Sequence, residues 1–80
     1  MSTLAGPKRN PVAINVAFED HQMTVELADG RIISVRMEWF PSLRDATTVQ
    51  RANWRFIGGG LGIHWEDLDE DVSVMGLLAG

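Results

Sequence analysis

Ile14-Asn15-Val16-Ala17-Phe18-Glu19-Asp20-His21-Gln22-Met23-Thr24-Val25-Glu26-Leu27 alternates larger apolar residues with small or polar ones on both sides of Asp20-His21. A strand sends successive side chains to opposite faces, so Ile14, Val16 and Phe18 belong together, as do Met23, Val25 and Leu27. With Asp20-His21 as a two-residue turn, Phe18 opposes Met23 and Val16 opposes Val25. All six apolar side chains then lie on one face of a hairpin. Aspartate suits the first turn position; histidine fits the second less well.

The next connection is decided by register, because a one-residue slip turns every apolar side chain to the wrong face. A two-residue loop at Asp29-Gly30 leaves Ile33 and Val35 on the polar side. A three-residue loop, Ala28-Asp29-Gly30, sets Val25 against Ile33 and Met23 against Val35, with Gly30 where a left-handed residue is wanted. The first half therefore reads as a three-stranded antiparallel meander, with Ile32, Ser34 and Arg36 on its other side.

Trp39-Phe40-Pro41 ends the third strand, since proline restricts its predecessor and cannot donate to a ladder. Ser42 precedes Asp45 by three residues and Thr47 precedes Gln50 by three, both capping-box spacings. Two short helices are expected, around Leu43 to Ala46 and Thr48 to Trp54, too short to stand without docking. Trp54 and Phe56, then Ile63 and Trp65, bracket a glycine run. They predict a hairpin of Trp54 to Ile57 with Ile63 to Trp65, its loop being Gly58-Gly59-Gly60-Leu61-Gly62. Val74, Leu77 and Leu78 recur at helical spacing within Val72 to Leu78, a C-terminal helix capped by Asp71 or Ser73. The fold class is α+β.

Eighty residues make one small domain whose core is close to the lower limit of size. Residues 12–80 are read as that domain and 1–11, with two prolines, as a flexible arm. Without cysteine there is neither a disulfide framework nor a thiolate zinc site. The N-terminus lacks the apolar run of a signal peptide, and nothing approaches the roughly 20 apolar residues of a membrane span. A cytoplasmic protein is expected. The net charge of −4 opposes nonspecific binding to DNA, which relies on neutralising phosphates.

The combination of Asp29-Gly30-Arg31 through Val35, Trp39-Phe40-Pro41-Ser42-Leu43, Ala46-Thr47 with Gln50-Arg51, Gly62-Ile63-His64-Trp65, Leu68-Asp69-Glu70-Asp71 and Gly76-Leu77-Leu78 resembles the bacterial domain-of-unknown-function family 2442. The likeness covers nearly everything after Val12. Glu66 departs from it, where the family commonly has proline, which bears on the local turn. The resemblance brings no established activity. It implies a genetic neighbour, a small protein of domain family 4160, in a pairing of the toxin and antitoxin kind. Some relatives carry an appended helix-turn-helix; with no such segment after Gly80, a DNA-binding role is not carried over.

His64, Trp65, Asp67, Asp69, Glu70 and Asp71, with Arg51 and Arg55 from the preceding elements, form the candidate site. The glycine run has neither a P-loop's Lys-Ser ending nor a following helix and reads as a tight left-handed loop. Five carboxylates between Glu66 and Asp71 require neutralisation, for which the guanidinium groups of Arg51 and Arg55 are the first choice over a metal ion. No second histidine accompanies His64, and no serine has a histidine and acid relay. By strand geometry His64 points away from Ile63 and Trp65, outward and available.

The leading expectation is a noncatalytic protein-binding module, antitoxin-like, that engages a basic partner through His64 to Asp71 and needs no cofactor. The alternative is a small metal-dependent or acid/base enzyme centred on His64, Asp69 and Asp71. Self-association as a homodimer through an open edge of the meander is compatible with either.

Overall fold

Strands β1 (Ala13–Glu19), β2 (Gln22–Leu27) and β3 (Ile32–Arg36) form the antiparallel meander in that order. The computed structural model describes residues 11–79. The expected arm, residues 1–11, lies outside them except for Pro11. Both predicted registers hold: Phe18 pairs with Met23, Val16 with Val25, Val25 with Ile33 and Met23 with Val35. Asp20 takes the positive φ of the first turn, at 44°. Gly30 takes a φ of 95° in the second, a conformation that glycine adopts without the Cβ penalty.

One residue of the expected wall is misplaced. Ala13 pairs with Leu27 while Asn15 pairs with Glu26, so Ile14 is the extra residue of a β-bulge. The bulge turns Ile14 out, 52 % exposed, and puts Ala13 into the core instead. The reason lies across the molecule. A Cβ on Gly60 would sit 2.7 Å from the Ala13 carbonyl oxygen, so the glycine loop and the start of β1 touch backbone to backbone.

After a 3-10 turn at Met37–Trp39 come α1 (Pro41–Arg44) and α2 (Thr48–Ala52). The Thr47 and Gln50 capping box is present in both directions and starts α2 as predicted. That at Ser42 is not: Pro41 opens α1 two residues before the expected Leu43, and the Ser42 hydroxyl donates to the Glu70 carboxylate. Trp54 belongs to the following strand, so α2 is shorter than expected. No residue of α2 is buried, and the helix is docked by polar contacts. Arg51 donates from Nε to the Leu43 carbonyl and from its terminal nitrogen to the Arg44 carbonyl, both at 2.8 Å, satisfying the open end of α1.

The hairpin β4 (Trp54–Ile57) with β5 (Gly62–Trp65) forms as predicted, Trp54 opposite Trp65 and Phe56 opposite Ile63. It is extended by a strand that the sequence reading did not contain. β6 (Glu70–Ser73) pairs antiparallel with β5, making a second three-stranded sheet. Val72 is therefore a strand residue, buried opposite Ile63, and the C-terminal helix α3 is Val74–Ala79. Ser73 caps it, its Oγ accepting from the Gly76 N–H at 3.1 Å. Asp71 has another task. No helix among the described residues is long and apolar enough to cross a membrane.

The two sheets share one core. Val16, Met23, Val25 and Leu27 of the first are buried in a single cluster with Ile63, Trp65 and Val72 of the second, joined by Met37, Leu43 and Val74. Trp65 is its largest fully buried side chain. It meets Phe18 edge-on, with centroids 6.4 Å apart, and its indole N–H donates to the Arg51 carbonyl at 2.9 Å.

The close approach at Gly60 gives a direct test. Gly60→Ala combines a φ of 103° with a clash against the Ala13 backbone, whereas a Cβ at Gly59 meets nothing within 4 Å. Gly60→Ala is expected to lower stability by about 2–3 kcal/mol and Gly59→Ala by about 1 kcal/mol in urea denaturation. Equal losses would contradict the packing described.

Candidate functional site

His64 stands in the middle strand of the second sheet, between the buried Ile63 and Trp65, and its side chain lies on the opposite face. Strand pairing sets Arg55 on one flank and Asp71 on the other, and Glu66, two residues on, completes the row. The imidazole is not available. Nδ1 bonds to the Asp71 carboxylate and Nε2 to Glu66 Oε1 at 2.9 Å, and the side chain is only 16 % exposed. Arg55 reaches the same Glu66 oxygen at 3.4 Å.

A neutral imidazole has one donor and one acceptor nitrogen, whereas the protonated ring offers two donors to two carboxylates. The Asp71 hydrogen bond, and next that of Glu66, accordingly raise the His64 pKa above 6.5. The His64 hydrogen bond, with Arg55 second, lowers that of Glu66 below 4.5. The cluster is a surface clasp. It ties the edge strand β6 to β5 and fixes the chain as it leaves β5.

The other predicted site residues are distributed unevenly. Asp67 accepts from Asn53 Nδ2 at 3.3 Å, and Asp69 adopts the positive φ of 51° that brings the chain round into β6. Glu70 takes the Ser42 hydroxyl on the inner side of the sheet. Arg51, expected to neutralise these acids, has its guanidinium on the α1 carbonyls. Trp65, a candidate contact residue, is fully buried on the face opposite His64 and cannot touch a partner. His64 and Asp71 are brought together, but Asp69 makes no contact with them among the recorded hydrogen bonds and ion pairs of the described residues.

For metal binding, an imidazole needs an unprotonated nitrogen facing the ion, and here both nitrogens face carboxylates. No group of three or more histidine, cysteine, aspartate or glutamate residues is arranged to hold a metal ion among the described residues.

The residues that sequence reasoning missed lie on the neighbouring surface. A groove of about 560 Å³ runs between β3 and the β6–α3 segment, lined by Ile33, Val35, Phe40, Val72 and Leu77. Trp39 lies on its border, 70 % exposed. Trp39 is the one tryptophan presented to solvent, since Trp54 is half-buried and Trp65 fully buried. Its position immediately before Phe40-Pro41, at the end of a strand, was the only available signal.

Residues 13–80 match the family model described as a protein of unknown function (DUF2442), and the chain belongs to that family. A crystal structure of a protein of unknown function from Rhodospirillum rubrum ATCC 11170 is similar, with a TM-score of 0.77 and 30% identity over 90% of this chain and 89% of that one. An uncharacterized protein from Chromobacterium violaceum, solved by NMR, has a TM-score of 0.72 and 28% identity over 85% of this chain. This chain spans 64% of the length of the latter. No curated protein matches.

The clasp predicts a definite pH response. His64, with its pKa raised in the folded state, contributes stability below 6.5 that is lost as pH rises through the folded value. Glu66, lowered, contributes above 4.5 and loses that contribution as pH falls through its folded value. The stability difference between wild type and His64→Asn should therefore be greatest between pH 4.5 and 6.5. In an NMR titration the His64 midpoint should lie above 6.5, and Asp71→Asn should lower it more than Glu66→Gln. A midpoint at or below 6.5 would contradict the clasp.

Proposed function

We propose that this protein is a noncatalytic protein-binding module, antitoxin-like and cytoplasmic, whose partner is a basic protein. The observation that carries this reading is the charge left over after the internal pairings are made. Glu66, Asp67, Asp69, Glu70 and Asp71 fall within six residues, and of the two arginines expected to face them Arg51 is engaged elsewhere. Arg55 remains, on Glu66, and His64, on Glu66 and Asp71. The segment keeps a surplus of negative charge next to an apolar groove with an exposed tryptophan.

Such a surface suits a protein partner. Clustered carboxylates speed encounter with a cationic surface, and an aromatic beside an apolar groove supplies the desolvated contact that holds it. An acidic binder that covers a basic, nucleic-acid-directed surface competes with phosphate for it. The engagement of both His64 nitrogens favours binding over the alternative of an enzyme centred on His64, Asp69 and Asp71.

The neighbouring small protein of domain family 4160 is the partner to test. Co-expression is expected to give a complex on size-exclusion chromatography and to relieve any growth defect caused by the neighbour alone. Asp67→Lys with Asp69→Lys should weaken the complex at least tenfold at low salt and less at high salt, where screening shortens the range of surface charge. If the two proteins neither co-elute nor relieve the growth defect, this assignment is overturned.

A further inference from the structure

The phase of each ladder shows which main-chain groups face the groove. Leu27 N–H donates to the Arg31 carbonyl and Met37 N–H to that of His21, both at 2.8 Å. With Val25 opposite Ile33 and Met23 opposite Val35, the odd-numbered residues of β3 turn their main chain toward β2. Ile32, Ser34 and Arg36 turn theirs outward. In the second sheet, Val74 N–H donates to the Leu61 carbonyl at 3.0 Å, which directs Glu70 and Val72 toward β5 and Asp71 and Ser73 outward.

These are the residues found on the groove. Ser34 and Arg36 line it although their side-chain positions alternate with those of Ile33 and Val35, and Asp71 and Ser73 line it from the opposite side. Two open strand edges therefore border one apolar trough. Among the described residues, no backbone partner is recorded for the outward N–H groups of Ile32, Ser34 and Arg36. Natural proteins usually blunt such an edge with a bulge, a proline or a cover. Residues Ile32–Arg36 contain no proline, and the bulge of this sheet lies in β1.

We propose that the groove binds an extended segment of the partner protein as an added strand on the outer edge of β3. In that segment apolar residues alternate with lysine or arginine. This rests on the binding-module reading above and specifies its mode. The alternation follows from the site: one side of an added strand faces Phe40, Val72 and Leu77, and the other faces solvent. The basic residues follow from charge complementarity to Asp71 on the β6 edge and to the acidic turn Glu66 to Asp69 that leads into it; Arg36, which also lines the groove, is paired with Glu38. Backbone pairing would supply affinity, and the alternate side chains the choice of partner. A β3 of five residues accommodates a segment of similar length.

The test uses the full chain, labelled with 15N, and three blocked peptides seven residues long: Lys and Val alternating, Glu and Val alternating, and the first peptide N-methylated at alternate amides. The lysine peptide is expected to shift the amides of 32–36 and 71–73 and to slow hydrogen exchange at Ser34 and Arg36. The glutamate peptide and the N-methylated peptide should each bind at least tenfold more weakly. Ser34→Pro removes an outward N–H and leaves the β2 ladder intact, so it should retain the wild-type fold by NMR and bind the lysine peptide at least tenfold more weakly.

Absence of binding at millimolar peptide, equal binding of both signs, or perturbation elsewhere would overturn the proposal. So would a dimeric sedimentation mass without peptide that Ser34→Pro halves, since a second copy would then occupy the edge. If the neighbour co-elutes equally with wild type and Ser34→Pro, strand addition fails while the binding module stands. If the peptide binds as described and the neighbour does not co-elute, the identity of the partner fails instead.

Discussion

Trp65 is the side chain on which the arrangement depends. It is fully buried, it meets Phe18 of the first sheet, and its indole N–H ends on the carbonyl of Arg51. A buried indole without an acceptor would leave a polar group unsatisfied, so the C-terminal end of α2 must lie where that carbonyl is offered. One residue thus fixes the second sheet against the first and the helical segment against both. Its neighbours in the strand divide by face. Ile63 joins the same core, and His64, between them, goes to the clasp with Asp71 and Glu66.

The positions of the open edges follow from this packing. Joining the sheets through Trp65, Ile63 and Val72 brings β6 near β3 without pairing them. The space between is closed below by Phe40 and Leu77 and left open above, with Trp39 at the border. A small domain lacking disulfides has few ways to cover so much apolar surface. The His64 clasp holds β6 in place from the outer face, so the acidic turn and the groove are fixed with respect to one another. Negative charge and exposed apolar surface are therefore adjacent, the combination on which the proposed function rests.

Much of the first sheet was legible because a period of two, combined with turn chemistry, leaves only one register that puts Val16, Met23, Val25 and the half-buried Ile33 on one face. Ile14 was not. Its displacement accompanies the close approach of Gly60 to the backbone of the neighbouring Ala13, a contact distant in sequence of which a local pattern carries no trace. The hairpin of β4 and β5 was legible from paired aromatic residues around a glycine loop. β6 was hidden because Glu70-Asp71-Val72-Ser73 has a single large apolar residue, which read as the start of the C-terminal helix, and its acids read as a site to be neutralised by arginine. They stay in a strand because His64 takes Asp71 and Ser42 takes Glu70. Arg51 illustrates the same limit. Its charge suggested a carboxylate, but the unsatisfied carbonyls of a four-residue helix were nearer.

The central claim is that the two sheets are one cooperative unit joined through Trp65. Native-state hydrogen exchange, compared between the wild type and Trp65→Phe, tests it most directly. The substitution removes the indole N–H and part of the shared packing, and the account predicts that protection falls together in Met23–Val25 and Ile63–Trp65. Loss confined to the second sheet, with β1 and β2 as protected as before, would show that the sheets open separately and would contradict it.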